Sequence, residues 1–362
     1  MAQKLRTLVI GRTARGNYGH NLDVAAKTHP RLDVTAVADD NAEGLRKAAD
    51  RLQLKNTYAD WKQALKQEQP QVVVIAMRWV DCHEEMALAC AAAGAHVFME
   101  KPMARTLAEC DRMIDACDRT HTRMVVAHNM RCCPILDHVH AKVREGLLGD
   151  VLELRARGKE DRRAGGEDMM VLGTHLFDMM RRFAGDPQWA FGRVMKDGRE
   201  ITRADVNMNA PEGLGAIAGD TIEGMYGFAN GIPGYFASRK SADQTGTRWA
   251  LDLVGTNATL RILAGHVPEI WLTSSRPNKE PAWKRMEIPQ GIGPVSEPDA
   301  NHHLIHDLVA AIDERKEPAA SGRAARWAIE MAHAMYASHR RGGRVKLPLE
   351  QRDNPLLAEL KR

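Results

Sequence analysis

The chain has 362 residues, 44% of them apolar and 27% charged, with a formal net charge of +4. That length exceeds one ordinary core and predicts two domains in a soluble globular protein. Basic and acidic residues are interspersed without a basic tract, so nucleic acid is not expected as a partner, and no apolar run approaches a membrane span.

The chain enters a strand directly after Met1-Ala2-Gln3-Lys4, with no apolar leader. Cys82, Cys90, Cys110, Cys117, Cys132 and Cys133 show no paired zinc-ligand spacing, and the first four fall in predicted helices as small hydrophobes. No metal site and no disulfide framework are expected, and a reducing, cytoplasmic setting is predicted.

Leu8-Val9-Ile10 reads as a buried strand, followed by a glycine-bearing loop from Gly11 to His20. Such a loop lets backbone approach a pyrophosphate at the start of a helix. Its spacing departs from G-x-G-x-x-G: Arg12 and Thr13 stand where a second glycine could lie, and Gly16, Asn17 and Gly19 come later. Asp33 to Ala38 is a second strand ending in Asp39-Asp40. An acid there, roughly 20 residues after the glycine loop, accepts hydrogen bonds from an adenosine ribose diol and repels a 2′-phosphate. Asp39 is the first candidate, which favours NAD over NADP, although Arg12 or Arg15 could neutralise an extra phosphate.

The alternation continues through helix 42–52, a short strand at Thr57-Tyr58, helix 61–67 and the fully apolar strand Val72 to Ala76. Helix 82–93 stops at Gly94, and strand 95–99 runs into Glu100-Lys101-Pro102. Helix 106–119 opens with Thr106 as N-cap and Glu109 at the capping-box position, and Met124 to Ala127 closes the set. This is a doubly wound α/β sheet over residues 1–127.

After His128 the pattern changes. Helix 135–145, strand 151–156, a charged loop 159–168 and an apolar helix 169–183 precede short strand-like runs at 224–229, 234–238, 250–255, 259–262 and 269–273. Glycine and proline turns between such runs predict a mostly antiparallel sheet. Helices 300–314 and 323–338 and a strand at 345–348 close a second α/β domain over 128–348, followed by a tail at 349–362.

Two features carry chemistry. Lys101 lies where proline ends a strand, at the carboxyl edge that binds ligands in open α/β sheets. His175 and Asp178 share one helix face at i and i+3. A dehydrogenase acting on a carbinol needs a group that takes the hydroxyl proton and profits from a cation near the developing oxyanion. His175 suits the first role and Lys101 the second, or the roles are exchanged. The bland alternatives are a hydrogen-bonded core histidine and a surface lysine paired with Glu100.

Glu100-Lys101-Pro102 after an apolar strand, His83 opening the preceding helix, Arg131 and Pro134, and Gly146-x-x-Gly149 form a recognisable series. It continues with His175, Asp178, Asn301, Pro318, Ser321-Gly322 and Leu347-Pro348-Leu349. Along nearly its whole length the chain resembles the Gfo/Idh/MocA family of nicotinamide-dependent sugar and polyol oxidoreductases. The resemblance implies an N-terminal Rossmann domain and a C-terminal α/β domain with a large open sheet that forms a homodimer or homotetramer. The last long helix would be free to pack back on the first domain.

The resemblance also implies catalytic Lys101, His175 and Asp178, and substrate contacts from Lys101, Arg131, Thr174 and His175. Cofactor contacts would come from Gly11, Arg12, Thr13, Gly16, Asn17, Asp39, Met77, His83, Glu100 and Lys101. Many relatives carry an acid four residues before the histidine, where this chain has Val171, which can neither accept a proton nor orient a hydroxyl. Glu167 or Asp168 could replace it only if the helix start is rearranged, so an altered proton relay or a different subfamily reaction is expected.

The leading expectation is NAD-dependent hydride transfer to or from a carbinol carbon of a sugar, glycoside or cyclitol. The alternatives are redox-assisted glycoside cleavage with retained NAD and a catalytically silent sugar- or nucleotide-binding protein.

Overall fold

The computed structural model describes residues 3–240, 249–274 and 282–358. In chain order the first elements are β1 (Leu5–Ile10), α1 (Leu22–Thr28), β2 (Leu32–Ala38), α2 (Ala42–Leu52), β3 (Asn56–Tyr58) and α3 (Trp61–Glu68). Then come β4 (Val72–Ile75), α4 (His83–Ala92), β5 (His96–Met99), α5 (Leu107–Thr120), β6 (Met124–Val126), α6 (Pro134–Arg144), β7 (Val151–Arg157), α7 (Gly166–Asp168) and α8 (Thr174–Ala184). A run of strands follows: β8 (Pro187–Lys196), β9 (Arg199–Glu200), β10 (Val206–Asn207), β11 (Ile217–Ala218), β12 (Thr221–Phe228), β13 (Pro233–Arg239), β14 (Ala250–Gly255), β15 (Ala258–Leu263), β16 (Glu269–Ser274) and β17 (Lys284–Arg285). The last elements are α9 (Glu297–Asp313), α10 (Gly322–Arg341) and β18 (Val345–Lys346).

The chain divides into two compact units, Met1–Cys132 with Val295–Arg326, and Cys133–Pro294 with Trp327–Arg362. The first holds a six-stranded parallel sheet in the order β3-β2-β1-β4-β5-β6, a doubly wound arrangement whose strand order reverses between β1 and β4. All four residues of β4, Val72 to Ile75, are fully buried, as expected for a strand covered on both faces. Side-chain caps start the helices where the sequence places them: Asn41 Oδ1 accepts from Gly44 N at 2.8 Å, Asp60 Oδ1 from Lys62 N at 2.9 Å and Thr106 Oγ1 from Glu109 N at 3.1 Å. Glu109 reaches back to Arg105 N at 2.8 Å, one residue before the cap, so its contact differs from the expected capping box.

Where the sequence put the first domain's end at 127, this unit runs to Cys132 and takes in Val295–Arg326. The reason is α9, whose Leu304, Ile305, Leu308 and Val309 pack into the cluster built on Val9, Leu22, Val37, Val74 and Val125.

The second unit carries a ten-stranded sheet in the order β17-β16-β15-β14-β7-β13-β12-β8-β18, with β9 paired to β8; β7 and β13 run parallel and the other pairings are antiparallel. One face is covered by α8 and α10. Phe177 of α8 packs on Phe236 and Tyr226 at ring separations of 4.8 and 5.6 Å, and Tyr226 Oη donates to Met331 O at 2.8 Å. Glycine suits position 224, where a Cβ would lie 2.7 Å from the backbone carbonyl of Phe191 and 2.1 Å from Met335 Sδ. The other face presents Phe191, Met225 and Tyr235 among Arg155, Arg157, Arg193 and Glu223 around an open cavity of about 710 Å³.

Helix α10 is divided between the two, Gly322–Arg326 grouping with the first unit and the residues from Trp327 onward with the second. The described part of the expected tail is tied down too: Leu349 N donates to the buried Glu330 carboxylate at 2.5 Å, and Asn354 Nδ2 to Ala216 O at 2.8 Å.

Candidate active site

In the first unit, the loop after β1 is a tight two-way turn rather than an open arc. Arg12 N donates to Asn17 O at 3.0 Å and Asn17 N to Arg12 O at 2.9 Å, while Ala14 N bonds Asn17 Oδ1 at 3.1 Å. Gly16 has φ +84°, and a Cβ on it would lie 2.5 Å from Arg78 N, so the irregular glycine spacing still serves a close backbone approach. Asp39 Oδ1 accepts from Thr13 N at 3.1 Å and Asn41 N at 3.0 Å, and Oδ2 from Thr13 Oγ1 at 2.7 Å and Tyr18 Oη at 3.0 Å. Beside it the exposed Asp40 takes Arg12 Nε at 2.8 Å.

At the end of β5, Glu100 is fully buried and Lys101 is 4% exposed. Glu100 Oε1 accepts from His20 N at 2.9 Å and lies 2.7 Å from His20 Nδ1, while Oε2 accepts from Lys101 N at 3.0 Å. Burial alone would raise the Glu100 carboxyl. The His20 charge and hydrogen bonds, helped by Lys101, outweigh it and bring the pKa down to about 2. Asn301 Nδ2 then fixes His20 from the other side by donating to its carbonyl at 2.7 Å. Sequence reasoning quoted His20 only as part of the loop; its position at the entry to α1 was the one available signal.

His83 and Glu100 were both expected to touch the cofactor. His83 is wholly buried, with Nδ1 3.0 Å from Pro102 O and Nε2 3.0 Å from Met77 O. Its contacts hold the segment that follows Lys101 against the end of β4, across a Lys101-Pro102 bond that is cis. Met77 and Gly11 line a cavity of about 220 Å³ at the carboxyl ends of β1, β2 and β4, shared with Arg12, Asp40, Trp61 and Lys62. Arg131, half-buried, donates from Nε to Ala319 O at 3.3 Å.

In the second unit, helix 169–183 of the sequence reading starts differently. A π-turn, Met169–Gly173, separates α7 from α8. The Leu172 carbonyl accepts from Trp249 Nε1 at 3.3 Å, a partner more than seventy residues away. The helix start is therefore rearranged, and Val171 lies inside the π-turn, 2% exposed. Thr174 is buried, with Oγ1 3.5 Å from Val171 O. His175, 6% exposed, meets Trp249 edge-on at 5.6 Å between ring centroids, and Asp178 lies 3.8 Å from Arg181 Nη1.

Asp168 is turned away to other work, accepting from Ser238 Oγ at 2.5 Å, Glu160 N at 3.1 Å and Lys159 N at 3.3 Å. Burial raises its pKa, and these bonds oppose the rise. Trp249 is the neighbour of His175 that sequence reasoning missed, since nothing local to it signals a partner so distant in sequence. In the charged loop before α7, Arg163 grips Asp161 through Nε at 3.0 Å and Nη2 at 2.5 Å.

The model of an oxidoreductase family with an NAD-binding Rossmann fold, Gfo/Idh/MocA, matches residues 5–128, and that of the family's C-terminal α/β domain matches 145–347. The chain belongs to the Gfo/Idh/MocA family. Levoglucosan dehydrogenase of Pseudarthrobacter phenanthrenivorans is 27% identical over 258 residues, 64% of this chain and 65% of that protein. The chain thus spans just under two thirds of that relative's length. D-apiose dehydrogenase of Paraburkholderia graminis is 25% identical over 346 residues, 89% of this chain and 85% of that one. Among solved structures, a levoglucosan dehydrogenase in complex with NADH and levoglucosan shares the fold at a TM-score of 0.76 and 22% identity, covering 96% of this chain and 100% of the other.

The Gfo/Idh/MocA family is one of oxidoreductases, and residues 5–128 are its NAD-binding Rossmann domain. The residues fit that cofactor: the cavity sits at the switch point between β1 and β4, lined by Gly11, Arg12, Asp39 and Asp40. Among the described residues no helix is long and apolar enough to cross a membrane.

Proposed function

We propose that this protein oxidises or reduces a carbinol carbon of a sugar, glycoside or cyclitol, with NAD as the redox partner. NAD, when bound, supplies the hydride acceptor or donor. In the oxidative direction His175 takes the hydroxyl proton as the carbon gives up hydride, and the Lys101 ammonium stabilises the negative charge developing on oxygen. Asp178, beside Arg181, holds a charge on the same helix face as His175.

The observation that carries the reading is Lys101 itself. A lysine only 4% exposed as a residue stands at the carboxyl edge of a dinucleotide-binding sheet, its backbone anchored to a buried carboxylate. A surface lysine would be solvated, and fixed burial of a cation here has a chemical use.

Purified protein mixed with NAD and a panel that includes levoglucosan, D-apiose and the inositols tests this by NADH formation. Stoichiometric NADH with one of them is expected. Turnover without net NADH would replace the reading with retained-cofactor cleavage, and bound NAD with no turnover would make the chain a binding protein. Lys101→Ala and His175→Asn should each lower kcat by roughly a hundredfold or more while NAD binding persists; wild-type activity in either removes that residue from the mechanism. We further propose that the open face bearing Phe191, Met225 and Tyr235 pairs subunits into a homo-oligomer, which light scattering on wild type and Phe191→Glu would reveal.

A further inference from the structure

A further cavity, of about 470 Å³, lies within the second unit and takes in none of the residues assigned to the active site. Its volume is that of a small-molecule site. Three segments wall it: the loop from β9 into β10, the last turn of α10, and the chain after β18.

Each wall is fixed by bonds of its own. Thr202 N and Oγ1 donate to Asp205 Oδ2 at 2.7 and 2.9 Å, and Arg199 forks onto the same carboxylate at 2.7 and 2.9 Å. Strand β10 pairs with β11, whose Ala218 N donates to Tyr336 Oη of α10 at 3.2 Å. In the chain after β18, Asn354 Nδ2 bonds Ala216 O, and Asn354 Oδ1 accepts from Leu356 N at 3.0 Å. These bonds shape the space before any ligand enters it, which lowers the cost of binding.

The lining combines apolar surface with unmatched positive charge. Ile201, Val206 and Leu356 contribute apolar wall, while Met208 and Leu357 stand 56% and 53% exposed. Arg203 and Arg340 line the same space, and neither reaches a carboxylate among the described residues. Arg340 Nη1 donates to Pro355 O, its buried Nε–H meets no acceptor, and burial holds its pKa below the ordinary value. Burial also lowers His339, whose Nδ1 accepts from Val194 N at 3.4 Å, so that ring adds no charge at neutral pH. Glu200 is the one acid among the described lining residues, and Arg193 already meets it at 3.7 Å.

The open face of the sheet is also apolar and basic, but there the charges are matched. Arg155 pairs with Glu153, Arg157 with Glu160 at 2.9 Å, and Arg193 with Glu200. An anion arriving at that face must break those pairs. At Arg203 and Arg340 it breaks none.

We propose that this cavity is a binding site for an apolar monocarboxylate, an alkyl or aryl acid. Its body lies against Ile201, Val206 and Leu356, and its head group meets Arg203 and Arg340. A carboxylate supplies the acceptors that the two guanidinium groups lack, in the planar geometry they bind best. The apolar walls favour such an acid over a small inorganic anion, and the arginines favour it over a neutral alcohol.

Calorimetric titration of the full-length protein with octanoate tests this, with octan-1-ol as the charge-free comparison and acetate as the chain-free one. Octanoate is expected to bind with a dissociation constant below about 1 mM, and each comparison at least about tenfold more weakly. Arg203→Ala and Met208→Asp, both at exposed positions, are each expected to weaken octanoate by roughly tenfold. Phe191→Glu, on the open face, is expected to leave its affinity within about twofold.

Octanoate that fails to bind at about 5 mM overturns the proposal, and so does octan-1-ol bound equally well. Binding that survives both Arg203→Ala and Met208→Asp, or that is lost in Phe191→Glu, puts the acid elsewhere and overturns it too. A dimer dissociated by Met208→Asp, with no octanoate bound, would make a second copy of the chain the occupant instead. NADH formation plays no part in these readouts, so failure here leaves the redox reading standing.

Discussion

Glu100→Gln isolates what the buried carboxylate under Lys101 contributes. Three donors reach Glu100, two at Oε1 from His20 and one at Oε2 from Lys101. A glutamine amide keeps one acceptor oxygen and turns the other position into a donor, so in either orientation an NH₂ group faces an N–H that has nowhere else to point. At least one charge-assisted bond is lost and one buried donor is left opposed, about 2–4 kcal/mol of stability.

The pH dependence gives a second handle. The folded-state pKa of Glu100 lies at about 2 against an ordinary value of 4.5, a difference worth roughly 3 kcal/mol. Because the folded value is depressed, that stability is fully present above pH 4.5 and is lost as pH falls through about 2. More than half should be gone by about pH 3. Urea unfolding of wild type and Glu100→Gln, measured side by side from neutral pH downward, should show a gap that narrows across this window. Comparing the two proteins at each pH cancels the other carboxylates. A gap that is absent at pH 7, or that stays constant down to pH 2, would refute the reasoning.

His29 and His96 should set a second acid limit. Burial foremost, then neighbouring His306, His302 and Arg31, bring His29 to about 4, and burial with Arg123 does the same for His96, from 6.5 in each case. Both folded values are depressed below the unfolded one, so the stability concerned is present above pH 6.5 and lost as pH falls toward 4, about 1–3 kcal/mol for each ring. His96→Gln should reduce the slope of unfolding free energy against pH in that window; an unchanged slope counts against the assignment. Trp249→Phe keeps an aromatic edge near His175 but removes the bond to Leu172 O, about 1 kcal/mol. A several-fold fall in kcat with little change in melting temperature is expected, and unaltered kcat would show that the π-turn does not position His175.

The first sheet was legible because its signals are local. Val72 to Ile75 is a run of β-branched residues that only a doubly covered strand buries completely, and Asn41, Asp60 and Thr106 cap helices with donors two or three residues away. Elements shaped by distant partners were not legible. In β8, Gly192 and Arg193 interrupt the apolar alternation, and the glycine makes sense only once Met335 of α10 is seen 2.8 Å from where its Cβ would be. The apolar residues 169–173 fit an ordinary helix until Trp249 takes a carbonyl and the turn widens. Likewise nothing within residues 300–314 said which unit would bury the helix they form.

Asp39 and Glu100 obey one rule, and the spacing that located them could not reveal it. Each is a carboxylate beside the glycine loop, where a dinucleotide carries its own negative charge. A bare buried anion there would repel the ligand and cost several kcal/mol of desolvation. Both are instead met by donors of the loop itself: Asp39 by Thr13 and Tyr18, Glu100 by His20. Such saturation shapes the loop before any cofactor arrives.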